Sequence, residues 1–166
     1  APRSKHLVLW HGCTDDDRRN IESEGIVLDH CRVNTDFGRG FYVTTRQRQA
    51  EEWAFLRAQD RANLTKPKPS PPVVLRFVQH CRQSRNSSRK KAAILHDHDG
   101  PFHGWYDIVH GPVASNWKQR GLMANTDQMG FHTPTAVGLL TDLIRKRSKN
   151  SEGHAHFEVV YEPGAS

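Results

Sequence analysis

Apolar positions fall in short runs separated by polar or glycine-rich stretches, and their spacing changes along the chain from strand-like to helical and back. Leu7-Val8-Leu9-Trp10 is a continuous apolar run that reads as a buried strand entering a turn at His11-Gly12. Thr14 followed by Asp17 predicts a capping box at the start of a helix, with Asp15, Asp16 and Asp17 at its positive end and Gly25 as its stop. Gly38 and Gly40 bracket Arg39 just ahead of Phe41-Tyr42-Val43, which predicts a tight turn into a short strand. Thr45 stands where a second helix would be capped, and in that helix Ala50, Trp53, Ala54 and Ala58 share one face, so Trp53 is expected in the core.

Further along, Thr65 to Pro72 contains four prolines and is expected to be an extended, exposed loop, a stiff connector in preference to an SH3-type ligand. Val73 to Val78 and Trp105 to Val109 read as strands, the second ended by Gly111-Pro112. Thr133 caps a predicted helix with Pro134 at its first position. Its apolar stripe is Ala136, Val137, Leu140, Leu143 and Ile144, and Arg145, Lys146 and Arg147 close it. Phe157 to Tyr161 is a last strand, and the whole order, strands with two early helices and one late, predicts an α+β fold.

An aromatic ring held on a strand after a glycine turn is a flat platform, better suited to stacking a planar heterocycle than to cradling phosphate. The spacing is not the strand-first G-x-G-x-x-G of a dinucleotide fold, and no Gly-Lys-Ser/Thr follows. Alone, the segment reads equally well as an ordinary glycine-rich strand entry. Taken with the upstream strand, however, the order strand, His11-Gly12, helix, Gly25-Ile26, then Gly38-Arg39-Gly40-Phe41-Tyr42-Val43-Thr44 resembles the ADP-ribosyltransferase superfamily in its diphtheria-toxin and poly(ADP-ribose) polymerase branch. Closest in texture are small microbial members with an Asp-Phe-Gly-x-Gly-Phe-Tyr segment, a Tyr-Asp-x-Val-x-Gly-Pro-Val segment and a late Gln. Here these are Asp36 to Tyr42, Tyr106 to Val113, and Gln128 within Asp127-Gln128-Met129.

The resemblance implies two packed antiparallel sheets with flanking helices and an NAD cleft between them. It also implies an enzyme, a mono-ADP-ribosyltransferase or NAD glycohydrolase, that breaks the nicotinamide glycosidic bond of NAD and passes ADP-ribose to an acceptor or to water. In that branch the Gly12 backbone would hold the nicotinamide amide, His11 would bond a ribose hydroxyl and Tyr42 would stack on nicotinamide. Cys13, Gly40 and Phe41 would flank the ligand, and Gln49 and Trp53 on the following helix would contribute a polar group and a second aromatic. A lone histidine at a strand end is otherwise a structural hydrogen-bonder; its joint occurrence with Gly38-x-Gly40-x-Tyr42 favours the ligand role.

The departure from the branch is Gln128 where a Glu is expected, because a neutral amide cannot supply that residue's charge. Glu158 in Glu158-Val159-Val160-Tyr161 is a competing candidate, disfavoured because no helix follows it. Two other classes stay open: an NAD or ADP-ribose binding module without turnover, and an RNA 2′-phosphotransferase-like enzyme.

Composition narrows the partners. With 166 residues, 36% hydrophobic and 25% charged, residues 1–166 are expected to form a single domain that buries roughly two-thirds of its unfolded surface. A net charge of +6, with 11 histidines uncounted, makes nucleic acid, anionic headgroups and a dinucleotide pyrophosphate all relevant partners. Cys13, Cys31 and Cys81 lack metal-ligand spacing and cannot close a full disulfide set, which favours a reducing, cytoplasmic setting over that of a secreted toxin or effector. No apolar run approaches the ~18 residues of a span, so a soluble monomer, trimmed or mature because its first strand begins so early, is expected.

The basic run from Arg82 to Lys91 lacks the aromatics that stack single-stranded bases and reads as a solvated loop. His96-Asp97-His98-Asp99 with His103, and His154 with His156, have the chemistry of metal ligands but low specificity, and the resembled family needs no metal. The acceptor is left open, with the proline-rich and basic loops its expected carriers.

Overall fold

The computed structural model describes residues 5–32, 35–81, 92–94, 107–113, 126–146 and 157–160. In chain order these form β1 (Lys5–Thr14), α1 (Asp15–Glu24), a 3-10 turn (Leu28–His30), β2 (Phe41–Val43), α2 (Gln47–Ala58), α3 (Arg61–Leu64), β3 (Pro72–Cys81), β4 (Ala92–Ile94), β5 (Ile108–Gly111), β6 (Gln128–Phe131), α4 (Pro134–Lys146) and β7 (Phe157–Val160). One sheet has the order β1-β3-β7 and the other β2-β6-β5-β4. All pairings are antiparallel except β4 with β5, so the second sheet carries one parallel edge that the sequence did not announce.

A single core joins the sheets. Leu9, Leu75, Phe77 and Phe157 from the first meet Phe41, Val43 and Phe131 from the second, and the α4 stripe of Ala136, Val137, Leu140, Leu143 and Ile144 closes the space. Alternation along β1 is what makes this work: Leu9, His11 and Cys13 share one face, and Trp10 and Gly12 share the other. That second face receives α2, whose Ala50 and Ala54 are fully buried against it together with Val74.

Gly12 is required by this packing. A Cβ built on it would lie 2.0 Å from the Ala50 carbonyl oxygen and 2.6 Å from the Ala54 nitrogen, and both are backbone atoms that cannot step aside. The expected His11-Gly12 turn is therefore absent: β1 runs straight through both residues, pairing His11 with Leu75 and Gly12 with Val74.

Local signals at the helix ends fared unevenly. Thr14 and Asp17 form the capping box of α1, and Gly25 ends it with φ 80°. Thr133 Oγ1 accepts from Ala136 N at 3.2 Å, as expected of the α4 cap. By contrast, α2 has Arg46 as its N-cap with no side-chain bond, because Thr45, the expected cap, gives its hydroxyl to Asp127 at 2.9 Å. Trp53 is only half-buried.

The proline-rich stretch also differs from expectation. Thr65 to Pro69 are exposed but bent, following the short α3, whereas Ser70 is buried and Pro72 already belongs to β3. Ser70 Oγ accepts from Asp16 N at 2.8 Å, and the Asn63 amide bonds Ser70 on both sides, at 2.9 and 3.0 Å. The loop end is thereby pinned beneath the start of α1.

Among the described residues no helix is long and apolar enough to cross a membrane. The basic run 82–91, the His96–Asp99 and His103 cluster, Trp105, Tyr106, Trp117, Arg147, His154, His156 and Tyr161 lie outside the described residues.

Two glycine substitutions separate contact from propensity. Gly12→Ala should destabilise by about 2–4 kcal/mol, because α2 must lift off β1. Gly138→Ala, on an α4 position with open space around it, should gain about 0.5–1 kcal/mol from helix propensity alone. Urea denaturation of the two variants measures both, and equal effects would refute the packing account of Gly12.

Candidate functional site

Among the described residues the two sheets pair edge to edge at one point. Trp10 N donates to Thr44 O and Thr44 N to Trp10 O, both at 2.8 Å, as an isolated antiparallel bridge. In an antiparallel strand alternate residues aim their N–H and C=O at the same edge. Those of Gly12 therefore point toward β2 like those of Trp10, and those of Tyr42 point toward β1 like those of Thr44. The ladder stops there. His11 enters instead, its Nδ1 2.6 Å from the Tyr42 carbonyl oxygen and its ring stacked on Phe41 at 4.0 Å between centroids.

The chemistry of that histidine follows from its surroundings. Burial drives its pKa down, the bond to Tyr42 opposes this, and the Arg57 charge adds to the lowering, leaving it at about 4. The ring is thus neutral near pH 7. Because a carbonyl can only accept, Nδ1 holds the proton and Nε2 is left as an acceptor. Among the described residues no protein group bonds Nε2.

Tyr42 lies on the opposite face of β2 from Phe41. It opposes Gly130 in register, and Gln128, two residues along β6, shares that face. The segment Thr35 to Gly40 folds over them. Tyr42 Oη accepts from Phe37 N at 3.0 Å and donates to Gly38 O at 2.6 Å. Gln128 is buried, and its Nε2 donates to Asp36 Oδ2 and, at 3.0 Å, to Pro112 O. Burial raises the Tyr42 phenol pKa, so it stays protonated and able to donate.

The glycines of this segment have separate causes. Gly38 has φ 91°, a conformation other residues seldom adopt. Gly40 and Gly130 instead leave room for the His132 ring, whose atoms lie 2.5 and 2.4 Å from where their Cβ atoms would be.

Asp127 is the residue that sequence reasoning passed over. Its carboxylate accepts from Thr44 Oγ1 at 2.7 Å, Thr45 Oγ1 at 2.9 Å and His110 Nε2 at 2.9 Å. Its backbone is held by both ends of the Gln49 amide, at 2.6 and 3.2 Å. Burial works to raise its pKa, but the bonds from His110, Thr44 and Thr45 outweigh it and leave it at about 2. The Asp127 carboxylate thus ties the start of β6 to the end of β2 and to β5, and its backbone ties it to α2.

The structure brings His11, Gly12, Gly40, Phe41 and Tyr42 together where β1 and β2 part, with Gln128 on the Tyr42 face. It does not bring the others there as ligand groups. Gln49 is committed to Asp127, and the Cys13 thiol sits in the core, where burial raises its pKa. Glu158 pairs with Arg76 across β7 and β3 at 2.8 Å, on a supporting strand. Among the described residues no three His, Cys, Asp or Glu side chains gather to hold a metal ion. An open depression of about 480 Å³ beside α4, lined by Ile26, Val137 and Thr141 among others, includes none of the predicted site residues.

The family described as a protein of unknown function (DUF3990) matches residues 7–124. The chain belongs to that family. No curated protein matches the chain. The match takes in the β1–β2 junction, the Gly38–Gly40 turn, α2 and β5, and it ends before Asp127 and Gln128.

Acid titration should expose the two shifted groups in different windows. As pH falls from 6.5 toward 4 the unfolded chain takes up a proton at His11 that the folded chain does not, so stability drops with a slope approaching one proton. Asp127 contributes stability above its ordinary value of 3.8 that is lost as pH falls on to about 2. His11→Gln should flatten the first window and leave the second; a Tm series against pH reads both, and an unchanged upper slope would contradict a ring held neutral in the fold.

Proposed function

We propose that the chain binds NAD across the gap between β1 and β2 and breaks the bond between nicotinamide and ribose, passing ADP-ribose to an acceptor or to water. The observation that carries this reading is the halt in strand pairing after Trp10 and Thr44, with a neutral His11 at the opening. A carboxamide offers one acceptor and two donors, and the outward peptide edge of Gly12 has the complementary pair. His11 Nε2 suits a ribose hydroxyl as donor. Tyr42 and Gln128 share one face, and they are the aromatic that the resembled branch would set at nicotinamide and the amide that stands here for its Glu at ribose.

The Phe37 ring is 6.2 Å from that of Tyr42, too near for another ring to stack between them. The Asp36–Gly40 segment must therefore yield before nicotinamide reaches Tyr42, and in doing so it releases Gln128. Tyr42→Phe is then not a neutral change, because it deletes two bonds that hold the segment closed. The present tie between Gln128 and Asp36 favours a second reading, a binding module for NAD or ADP-ribose without turnover.

Incubation of the protein with NAD, followed by chromatography of free nicotinamide, tests the main reading. Release should fall at least tenfold in His11→Ala and in Gln128→Ala, with both variants folded. NAD binding without nicotinamide assigns the second reading, and absence of binding rejects both.

A charge placed at position 128 gives a sharper check. Gln128→Glu would set a second carboxylate against Asp36, so one of the two must take up a proton or the segment must open. We expect it to destabilise by about 1–3 kcal/mol, with Asp36→Asn in the same chain restoring most of that loss. Destabilisation untouched by Asp36→Asn would show that the two side chains do not meet.

A further inference from the structure

α4 and the connection that follows α1 meet at one end and part at the other. Where they meet, Ile26 N donates to Thr141 Oγ1 at 3.1 Å, and a Cβ on Gly25 would lie 2.7 Å from Thr141 Cγ2. A turn earlier in α4, a Cβ on Gly138 would meet nothing within 4 Å. Here lies the open depression of about 480 Å³, a wedge with Ile26, Leu28 and Val137 in its apolar lining and Glu24, Asp29, Asp142 and Arg145 as its charged residues.

Two residues of this lining go against their own helices. Glycine in a helix interior is less stable than alanine. Gly138 has neither of the reasons that account for Gly38 and Gly12, since its φ is not positive and no neighbouring element needs the space. Glu24 is the last residue of α1, at the end where the helix dipole disfavours a carboxylate and where no basic residue stands. Among the described residues no hydrogen bond or ion pair engages Glu24 or Asp142. Local rules broken together at one concave place mark a surface shaped for something outside the chain.

The chemistry of the lining selects the occupant. Three carboxylates stand against one arginine, on a chain whose net charge is +6, so the depression is a negative place on a positive molecule. Asp29 lies 3.5 Å from Arg39, but its side chain is 92% exposed, and a pair of that kind contributes little. A small ligand in so open a depression would keep much of its surface in water, whereas a polypeptide segment can set one apolar side chain in the wedge and leave its polar groups solvated.

We propose that the depression is a docking site for a partner protein, and that it takes a segment with an aliphatic side chain flanked by arginine or lysine. The aliphatic group enters over Gly138 and Val137, and the flanking cations meet Glu24 and Asp142. The proposal does not rest on the NAD reading, since no residue of the β1–β2 junction lines the depression.

Selection of a displayed library of random short peptides on the full chain, followed by fluorescence anisotropy of the best binders, tests this. Enriched peptides should carry an aliphatic residue between arginines or lysines, and their affinity should fall as salt rises. Gly138→Leu fills the wedge and should weaken them at least tenfold, and Glu24→Lys should do the same by reversing a charge. Neither variant should melt below wild type, because leucine is a better helix former than glycine and a cation suits the end of α1. Binding lost with the melting temperature kept separates docking from folding; should Gly138→Leu fail to fold, Glu24→Lys carries the test alone. No enrichment, enrichment of acidic or uncharged sequences, or equal binding to wild type and to either folded variant overturns the proposal. Self-association of wild type that Gly138→Leu abolishes also overturns it, because the depression then belongs to a second copy of the chain.

Discussion

Two backbone hydrogen bonds between Trp10 and Thr44 join the sheets, and the shape of the site depends on pairing going no further. Bonds of this kind contribute about 1 kcal/mol each, too little to fix the corner alone. Asp127 supplies the rest. It grips Thr44 and Thr45 just where β2 leaves the bridge, and the Gln49 amide clamps its backbone from α2. On the other side of the bridge, the α2 backbone packs directly on Gly12, which fixes β1 against the helix. The separation is therefore held from both strands, and the His11 ring takes the Tyr42 carbonyl that a continued ladder would have used.

Much of this was legible in the residues, and the misses have a common cause. The α4 stripe and the Thr14 and Thr133 caps were readable because each depends on neighbours three or four positions away in sequence. The helical spacing of Ala50, Ala54 and Ala58 likewise announced the buried side of α2. What failed depended on partners far along the chain. Thr45 looked like a cap, but Asp127, 82 residues away, takes its hydroxyl. His11-Gly12 looked like a turn because a glycine inside a strand usually marks one, whereas here it marks the close approach of a helix. The proline-rich loop was read from proline alone, and the Ser70–Asn63 bonds that bury its end carry no local signature. The candidate residues divide along the same line between local and distant partners: His11, Gly12 and Tyr42 are drawn together by the bridge, whereas Gln49 and Cys13 are consumed by the network and core that build it.

The electrostatics of the junction bear on how the proposed reaction could run. An oxocarbenium-like ribose needs negative potential nearby, yet His11 is neutral and Gln128 is an amide. The carboxylate nearest to Gln128 is Asp36, which already accepts its Nε2 hydrogen bond. An amide that donates from nitrogen to a carboxylate is polarised so that its oxygen becomes a better acceptor. On the proposed reading Gln128 would then relay part of the Asp36 charge to a ribose hydroxyl, weaker than a direct Glu but in the right sense. The segment that must open to admit nicotinamide would remove the same carboxylate from the site. Binding and charge supply therefore oppose each other here, which favours slow turnover over fast, unless the segment closes again over bound NAD with Asp36 restored to Gln128.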